Sequence, residues 1–450
     1  MNKLLRHEGV AAPLLRNNID TDAIIPSREM KLVSRQGLGV GLFAGWRYTL
    51  PGGREENPDF VLNEEPYRDT SILLAGANFG FALIWALVFA TIATIILQDM
   101  AARLGTGARL GLGEALMQSA PAPAIKWATG GLVFAALLIG NCAYEGGNLS
   151  GGALGLDALF GTSSPGQSAL VGGLAVLAGV IVFIGRYEML EKLLVGLVLI
   201  MSAAFILSVI FVQPDLGALL AGLMPQIPDG GTLTAIALIG TTIVPYNLFL
   251  HAAAARRKWA DGADTGAARA DSAISIGLGG LVSILILSTA ASSLFKSGLE
   301  ISSAADMARA IEPAFGEAAR YLIGIGLFAA GLTSAITAPM ATAFALSEII
   351  GGDEDRKSKL FRGTALFVVV VGAAISLLGI RPISLILIAQ YANGLLLPII
   401  AAFLLYVMNR KDLLGAHTNS VMANIAGGGI VLITLGLGLR SILRAAGMMA

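Results

Sequence analysis

Long apolar segments follow one another from about residue 81 to the C-terminus of the sequence. Each segment has about 20 residues, the length at which a helix crosses the hydrocarbon core of a bilayer. The pattern predicts about ten transmembrane helices, at about 81–102, 127–149, 168–185, 193–212, 233–255, 273–295, 319–347, 362–380, 383–408 and 420–442. We therefore expect an all-α polytopic membrane protein over this part of the chain.

Residues 1 to about 70 have a different pattern. Their apolar runs are short, turns such as Pro51-Gly52-Gly53 are frequent, and arginines are spread among acidic residues. This pattern predicts a short soluble fragment of α/β or β-rich structure. Such a fragment is too short to bury a robust core by itself.

The loops between the predicted spans alternate in their content of Lys and Arg. Basic residues occur in the loops 103–126, 186–192, 256–271, 351–362 and 409–418. The loops 150–167 and 213–232 contain no Lys or Arg. Because basic loops stay on the cytoplasmic side, the first set is predicted to be cytoplasmic. The run Arg256-Arg257-Lys258 is most simply a signal for this topology.

The span predicted at 233–255 has polar residues and a proline near its centre. The stretch is Thr241-Thr242-Ile243-Val244-Pro245-Tyr246-Asn247. Pro245 has no N–H, so the Thr241 carbonyl loses its helical partner. A free carbonyl in hydrocarbon must face protein or a water-filled cavity. Broken helices of this kind hold ions in many secondary transporters. The alternative is a proline kink stabilised by neighbouring helices; the polar residues at the break favour an ion or substrate site.

The span predicted at 127–149 also has a polar interruption. It contains Asn141, Cys142, Tyr144, Glu145 and Asn148. An acidic residue inside a span is costly and usually functional. Glu145 is therefore a candidate functional residue, against the alternative that it bonds only to Tyr144, Asn148 or a backbone group. His251 is better explained by helix packing than by metal binding.

The composition agrees with these patterns. The 450 residues are 55% hydrophobic and 13% charged, with a mean hydropathy of +0.76. Soluble globular proteins have about 25% charged residues. The formal net charge is zero, so charge indicates no nucleic-acid partner. The single cysteine excludes a disulfide or a cysteine-rich metal site within one chain.

The N-terminal segment contains a distinctive polar turn before an apolar run, with Asn18, Asp20, Thr21 and Asp22 preceding Ile24-Ile25-Pro26. With the stretches 41–48, 57–63 and 71–80, it resembles the small subunit of 3-isopropylmalate dehydratase, an aconitase-type swivel domain. The resemblance implies hydro-lyase chemistry in leucine biosynthesis and a dehydratase large subunit as partner. The family continues with a cysteine and a Ser-Ser-Arg-Glu-His loop that helps to bind the substrate. That loop is absent after Phe81, which argues against enzymatic activity.

The chain from Leu74 to the end resembles the Nramp family of divalent metal transporters. The stretches 75–80 and 97–105 resemble its second transmembrane helix, 241–251 its broken sixth helix, and Gln390, Asn393-Gly394 and Leu397-Pro398 its tenth. The family has an inverted-repeat, LeuT-like fold of five plus five helices. Its substrate site lies between the unwound parts of helices one and six. Helix one, with its Asp-Pro-Gly-Asn motif, has no counterpart here, and residues 74–80 fit both families.

The resemblance also implies a set of site residues. The family's Ala-x-x-Met-Pro-His pattern in helix six places Val244 at the Met position and Tyr246 at the His position. The donors that remain are the Thr241 carbonyl, the Thr242 hydroxyl and Gln390, a set that suits Mg²⁺ or Mn²⁺. The alternative is that Val244 only packs and the lost ligand abolishes binding. Glu145 matches an acid of the third helix, whereas the preceding Asp of that family falls at Cys142. The predicted ion pathway also includes Asn141, Asn148, Pro245, Asn247 and Asn393.

Two domains follow from these patterns: a dehydratase-like segment at 1–73 and a transporter domain at 74–450. The predicted function is alternating-access transport of a divalent cation in a bacterial inner membrane, with the cation as cargo and no resident cofactor. The missing first helix is expected to impair this transport. The alternative is a dehydratase small subunit fused to the transporter.

Overall fold

The fold is known from a computed structural model that describes residues 71–119, 122–184, 188–229, 231–259, 265–295, 304–351, 358–378 and 397–445. Regular structure in these residues is helical throughout. The helices are α1 Ser71–Phe79, α2 Ile84–Arg103, α3 Leu112–Ser119, α4 Pro123–Phe160, α5 Gln167–Ile184, α6 Glu188–Val212, α7 Leu216–Ala221, α8 Thr232–Thr242, α9 Pro245–Lys258, α10 Thr265–Leu294, α11 Ala304–Ala308, α12 Glu312–Phe315, α13 Ala318–Ile350, α14 Lys359–Ser376, α15 Leu397–Val407, α16 Lys411–Leu414 and α17 Val421–Ala445.

Nine helical spans in the described residues are long and apolar enough to cross a membrane, one of them formed by α8 and α9 together. They confirm nine of the ten predicted spans, and the chain is an integral membrane protein. Most of the tenth predicted span falls on residues 379–396, outside the described residues, and its described part is α15. The predicted α/β fragment at the N-terminus also lies outside them.

The outward faces of the helices are apolar. Large side chains such as Leu132, Ile139 and Val176 are 66–71% exposed. Alkyl side chains on the outside match lipid tails, whereas polar groups there would be costly. The polar interruptions found in the sequence are turned inwards, and Asn141, Glu145 and Asn148 are all buried.

Residues 75–80 and 97–105 both resemble the second transmembrane helix of the Nramp family, but the structure divides them between two helices. Residues 75–79 belong to α1 and residues 97–103 to α2, with a turn between them at Gly80, whose φ is +56°. Helix α1 packs against α10. A Cβ at Gly76 would lie 2.5 Å from the Leu287 carbonyl oxygen, so this contact requires a glycine.

The long helices α4 and α13 form the largest helix contact of the described residues. Glycines bring their backbones together: a Cβ at Gly331 would lie 2.5 Å from the Gly152 nitrogen, and one at Gly155 would lie 2.5 Å from the Phe328 nitrogen. Small residues permit such close approach between membrane helices. Helix α14 packs against both α4 and α13, with Gly372 against Glu145.

We expect Gly331→Ala to destabilise the protein by about 1–3 kcal/mol, because the added methyl forces α4 and α13 apart. The matched control is Gly173→Ala in α5, where a Cβ would meet nothing within 4 Å. Alanine favours helix at that position, so the control should be as stable as the original chain or slightly more so. Thermal unfolding of the purified protein in detergent measures both. Equal midpoints for the two variants would contradict the packing argument.

Candidate functional site

The predicted break in the helix around Pro245 is present. Helix α8 ends at Thr242 and α9 begins at Pro245. Between them, Ile243 has φ −101° and ψ 82°, and Val244 is extended with φ −85° and ψ 122°. Proline is favourable at the first position of a helix, where its missing N–H is not needed. The chain therefore leaves the helical conformation for two residues in the middle of a buried span.

A threonine of the neighbouring helix α2 reaches the break. The Thr94 hydroxyl donates to the Ala90 carbonyl at 2.7 Å and lies 3.5 Å from the Thr242 carbonyl oxygen. The Thr242 hydroxyl donates to the Leu238 carbonyl at 3.0 Å. A hydroxyl oxygen that donates its hydrogen keeps its lone pairs. The Thr242 hydroxyl oxygen therefore remains available to bind a cation. Sequence reasoning missed Thr94, because a single threonine in an apolar span gives no signal of its own.

Val244 and Tyr246 are both buried. They occupy the positions at which the Nramp resemblance implies a methionine and a histidine. Val244 packs in the main hydrophobic cluster together with Ile243. The Tyr246 ring contacts the Tyr144 ring of α4, with 5.6 Å between centroids and an interplanar angle of 58°. The tyrosine pair therefore connects the start of α9 to α4. Tyr144 lies in the polar stretch of α4, but the sequence did not predict it as a site residue.

The polar residues of α4 have distinct surroundings. The Asn141 side-chain nitrogen donates to the Thr342 hydroxyl of α13 at 2.6 Å, so Asn141 joins two helices. Asn148 donates to Glu145 at 3.5 Å, a long contact. The other carboxyl oxygen of Glu145 has no hydrogen-bond partner among the described residues, although the side chain is fully buried. A buried oxygen without a partner is costly and is typical of a functional position.

His251 lies away from the break. Its Nε2 is 3.0 Å from the Ser272 hydroxyl of α10, which agrees with the predicted packing role. The described residues contain no cluster of three or more His, Cys, Asp or Glu side chains that could hold a metal. Gln390 and Asn393 lie outside the described residues, as do the dehydratase-like residues Asn18, Asp20, Thr21 and Asp22.

The family model for natural resistance-associated macrophage protein-like proteins (Nramp) matches residues 68–444. The chain belongs to the Nramp family. It is 27% identical over 418 residues to the divalent metal cation transporter MntH of Yersinia pestis (strain Pestoides F), covering 92% of this chain and 95% of that protein. MntH of Pectobacterium carotovorum is 29% identical over 325 residues, covering 70% of this chain and 73% of that protein.

The fold agrees with this family. The crystal structure of the Eremococcus coleocola manganese transporter, in complex with an aromatic bis-isothiourea compound, superposes with a TM-score of 0.68 at 22% identity. The match covers 83% of this chain and 82% of that one. The predicted Nramp resemblance and transporter fold are thereby confirmed.

The N-terminal resemblance is confirmed as well. A family model for the aconitase C-terminal domain matches residues 1–82. The 3-isopropylmalate dehydratase small subunit of Cupriavidus necator is 61% identical over 92 residues, which cover 19% of this chain and 44% of that protein. This chain thus spans less than half of the dehydratase subunit. The two family models overlap at residues 68–82, an interval that includes residues 74–80, which were predicted to fit both families.

The basic run at the end of α9 does more in this Nramp chain than set topology. Arg256 forms a 2.6 Å ion pair with Glu114 of α3, and the Arg257 guanidinium lies 4.6 Å from the centroid of the Phe344 ring of α13. Lys258 pairs with Asp271 of α10 at 2.6 Å. These contacts attach the end of α9 to three different helices.

We expect Pro245→Ala to lower metal transport at least about tenfold in a version of the chain with helix one restored. Alanine supplies the N–H that proline lacks, and removal of a proline from a helix favours the straight form by about 3 kcal/mol. Uptake of radioactive Mn²⁺ into membrane vesicles, normalised to the protein detected by immunoblot, measures the effect. The control is Pro123→Ala at the start of α4, where no donor is needed. Full transport by Pro245→Ala would show that the break is not part of the mechanism.

Proposed function

We propose that this Nramp chain derives from a divalent metal cation transporter whose ion site lies at the break between α8 and α9. One observation carries the proposal: two non-helical residues interrupt a buried span and leave the Thr242 carbonyl beside Thr94. Unwound carbonyls and half-helix ends are how broken helices bind cations in transporters. The MntH relatives are named as divalent metal cation transporters, which supports the same cargo here.

The transport cycle follows from what the break permits. The cation exchanges part of its water shell for the oxygens of Thr241, Thr242 and Gln390. The two half-helices change their relative angle at Ile243 and Val244, where the backbone leaves the helical conformation after the last hydrogen bond of α8, from the Ile243 N–H to the Ile239 carbonyl. The site then opens to one side of the bilayer at a time. Glu145 and Asn148 of α4, together with Asn247 and Asn393, belong to the proposed path, and the unpaired Glu145 oxygen supplies the one acid on it among the described residues.

Hard cations such as Mg²⁺ or Mn²⁺ fit this donor set. A thioether at the position of Val244 would favour softer transition metals, and an oxygen-only site favours hard ions. Val244 packs in the hydrophobic cluster. This packing is compatible with a site that prefers hard cations, and also with the alternative that the chain no longer binds a cation. The two interpretations can be distinguished by placing a methionine at position 244 and measuring which metals are transported.

We expect Val244→Met, in the version with helix one restored, to raise Cd²⁺ or Mn²⁺ uptake relative to Mg²⁺ uptake by roughly tenfold, because the sulfur adds a soft ligand. Flux into liposomes that contain a metal-sensitive dye measures the ratio. Val244→Leu, which has similar bulk and no sulfur, should leave the ratio unchanged. If Met and Leu give the same ratio, position 244 does not contact the ion.

The N-terminal part bears on whether this chain is active. We propose a dehydratase-like segment at 1–73 joined to a transporter domain at 74–450, a boundary that falls inside α1 and within the overlap of the two family models. The Nramp resemblance implies ligands from helix one, and we propose that the dehydratase-like segment stands in place of that helix. The basic residues in the segment 1–70 also favour a cytoplasmic location for that segment. The basic loop after α2, however, places the C-terminal end of α2 in the cytoplasm. The segment before α2 would then have to lie outside, so the two signals conflict.

The dehydratase small subunit remains the second candidate function, because 61% identity over 92 residues is high. A large subunit of the dehydratase would then be the partner. The absence of the Ser-Ser-Arg-Glu-His loop argues against it, as does the coverage of only 44% of that subunit. The transporter therefore has the better support.

We expect the chain in its present form to perform neither function. Express it with a reporter at its N-terminus in a strain that lacks both metal uptake and the dehydratase small subunit. Manganese uptake should stay within about twofold of the empty vector, and the cells should still need leucine. An intact MntH and an intact small subunit serve as positive controls. A cytoplasmic reporter together with saturable uptake would overturn the proposal that helix one is required, and growth without leucine would favour the enzyme.

A further inference from the structure

A groove between the ends of three spans is not used by the proposed transport path. It lies where α2, α10 and α17 meet and has a volume of about 580 Å³. Its walls include the apolar residues Ile95, Ile96, Ala273 and Ala426, and its polar end carries Asp99 and Arg269. We propose that this groove binds an anionic phospholipid, with the phosphate on Arg269 and an acyl chain along the apolar walls. The proposal does not depend on the transport function.

Among the described residues at the polar end, two guanidinium groups face one carboxylate. Asp99 accepts from the Nε of Arg269 and, at 3.0 Å, from the Nε of Arg103. Arg103 is further engaged, donating to the His417 carbonyl at 2.9 Å and to the Asn419 side-chain oxygen at 2.7 Å. One carboxylate is therefore shared by two guanidinium groups. The surplus positive charge favours an anion.

Arg269 is the guanidinium that can take the anion. Its side chain is 57% exposed, and its two terminal nitrogens have no hydrogen-bond partner among the described residues. The Nε contact with Asp99 fixes the plane of the group. A guanidinium held in this way presents two parallel N–H donors to phosphate oxygens, which is the geometry of a bidentate contact.

The surroundings identify the anion as a lipid. The groove lies at the end of the molecule that carries the loops 103–126, 256–271 and 409–418, predicted to be cytoplasmic, and the cytoplasmic leaflet contains anionic lipids. Met422 of α17, which lines the groove, is 76% exposed, and Ile425 on the same helix is 66% exposed and extends the apolar surface. A soluble phosphate would gain nothing from these walls, whereas an acyl chain would bury apolar surface there.

The test is lipid retention by the purified full chain. The protein is exchanged into detergent with equal amounts of phosphatidylglycerol and phosphatidylcholine, and bound lipid is counted by native mass spectrometry. We expect about fivefold preference for phosphatidylglycerol, the factor that one basic residue gives at a membrane surface. Arg269→Gln should abolish the preference. The matched control is Lys359→Gln, an exposed charge at the start of α14 outside the groove.

Two further arms separate a lipid from a bare phosphate. Glycerol phosphate at the same concentration should not displace the lipid. Ala273→Leu narrows the apolar part and keeps Arg269, so it should also lower retention. The proposal is overturned if Arg269→Gln and Lys359→Gln behave alike, if neutral and anionic lipids bind equally, if glycerol phosphate displaces the lipid, or if Ala273→Leu retains it fully.

Discussion

The absence of one N–H group, at Pro245, is the constraint on which the centre of the molecule depends. Inside a bilayer every backbone polar group needs a partner, and a helix normally supplies it. At Pro245 the helix cannot do so, and the chain leaves the helical conformation at Ile243 and becomes extended at Val244. The carbonyls released at the end of α8 must then be satisfied from outside the helix. Thr94 of α2 offers a hydroxyl at 3.5 Å, which leaves room for a better ligand.

The glycine contacts of α4 bury a second polar group, the Glu145 carboxyl, one oxygen of which has no hydrogen-bond partner among the described residues. Helix α4 packs against α13 and α14, and glycines on these helices allow the close approach. That packing removes water from Glu145, whose side chain lies against Gly372. The Tyr144–Tyr246 contact then links α4 to the start of α9. A buried acid and a broken helix are each costly, and their connection through one aromatic pair is a reason to treat them as one functional region.

The sequence predicted the parts of this arrangement that depend on local chemistry. Nine spans follow from apolar length, and the break follows from a proline among polar residues. The contacts that complete the region could not be predicted, because they join distant positions. Thr94 and Thr242 are 148 residues apart, Asn141 and Thr342 are 201 apart, and Arg256 and Glu114 are 142 apart. Each residue is unremarkable in its own segment, and only the packing of the helices brings the pairs together.

The packing of α1 also bears on the residues that fit two families. Both family models cover 68–82, so sequence similarity alone does not assign them. In the structure, Ala75 is fully buried, and Gly76 lies so close to α10 that a Cβ would be 2.5 Å from the Leu287 carbonyl and 2.8 Å from the Ala290 side chain. A swivel domain has no α10 to impose that restriction. The packing of the membrane domain therefore explains Gly76 and the small residues around it. The similarity of these few positions to the dehydratase is compatible with a transporter helix, but the transporter does not require it.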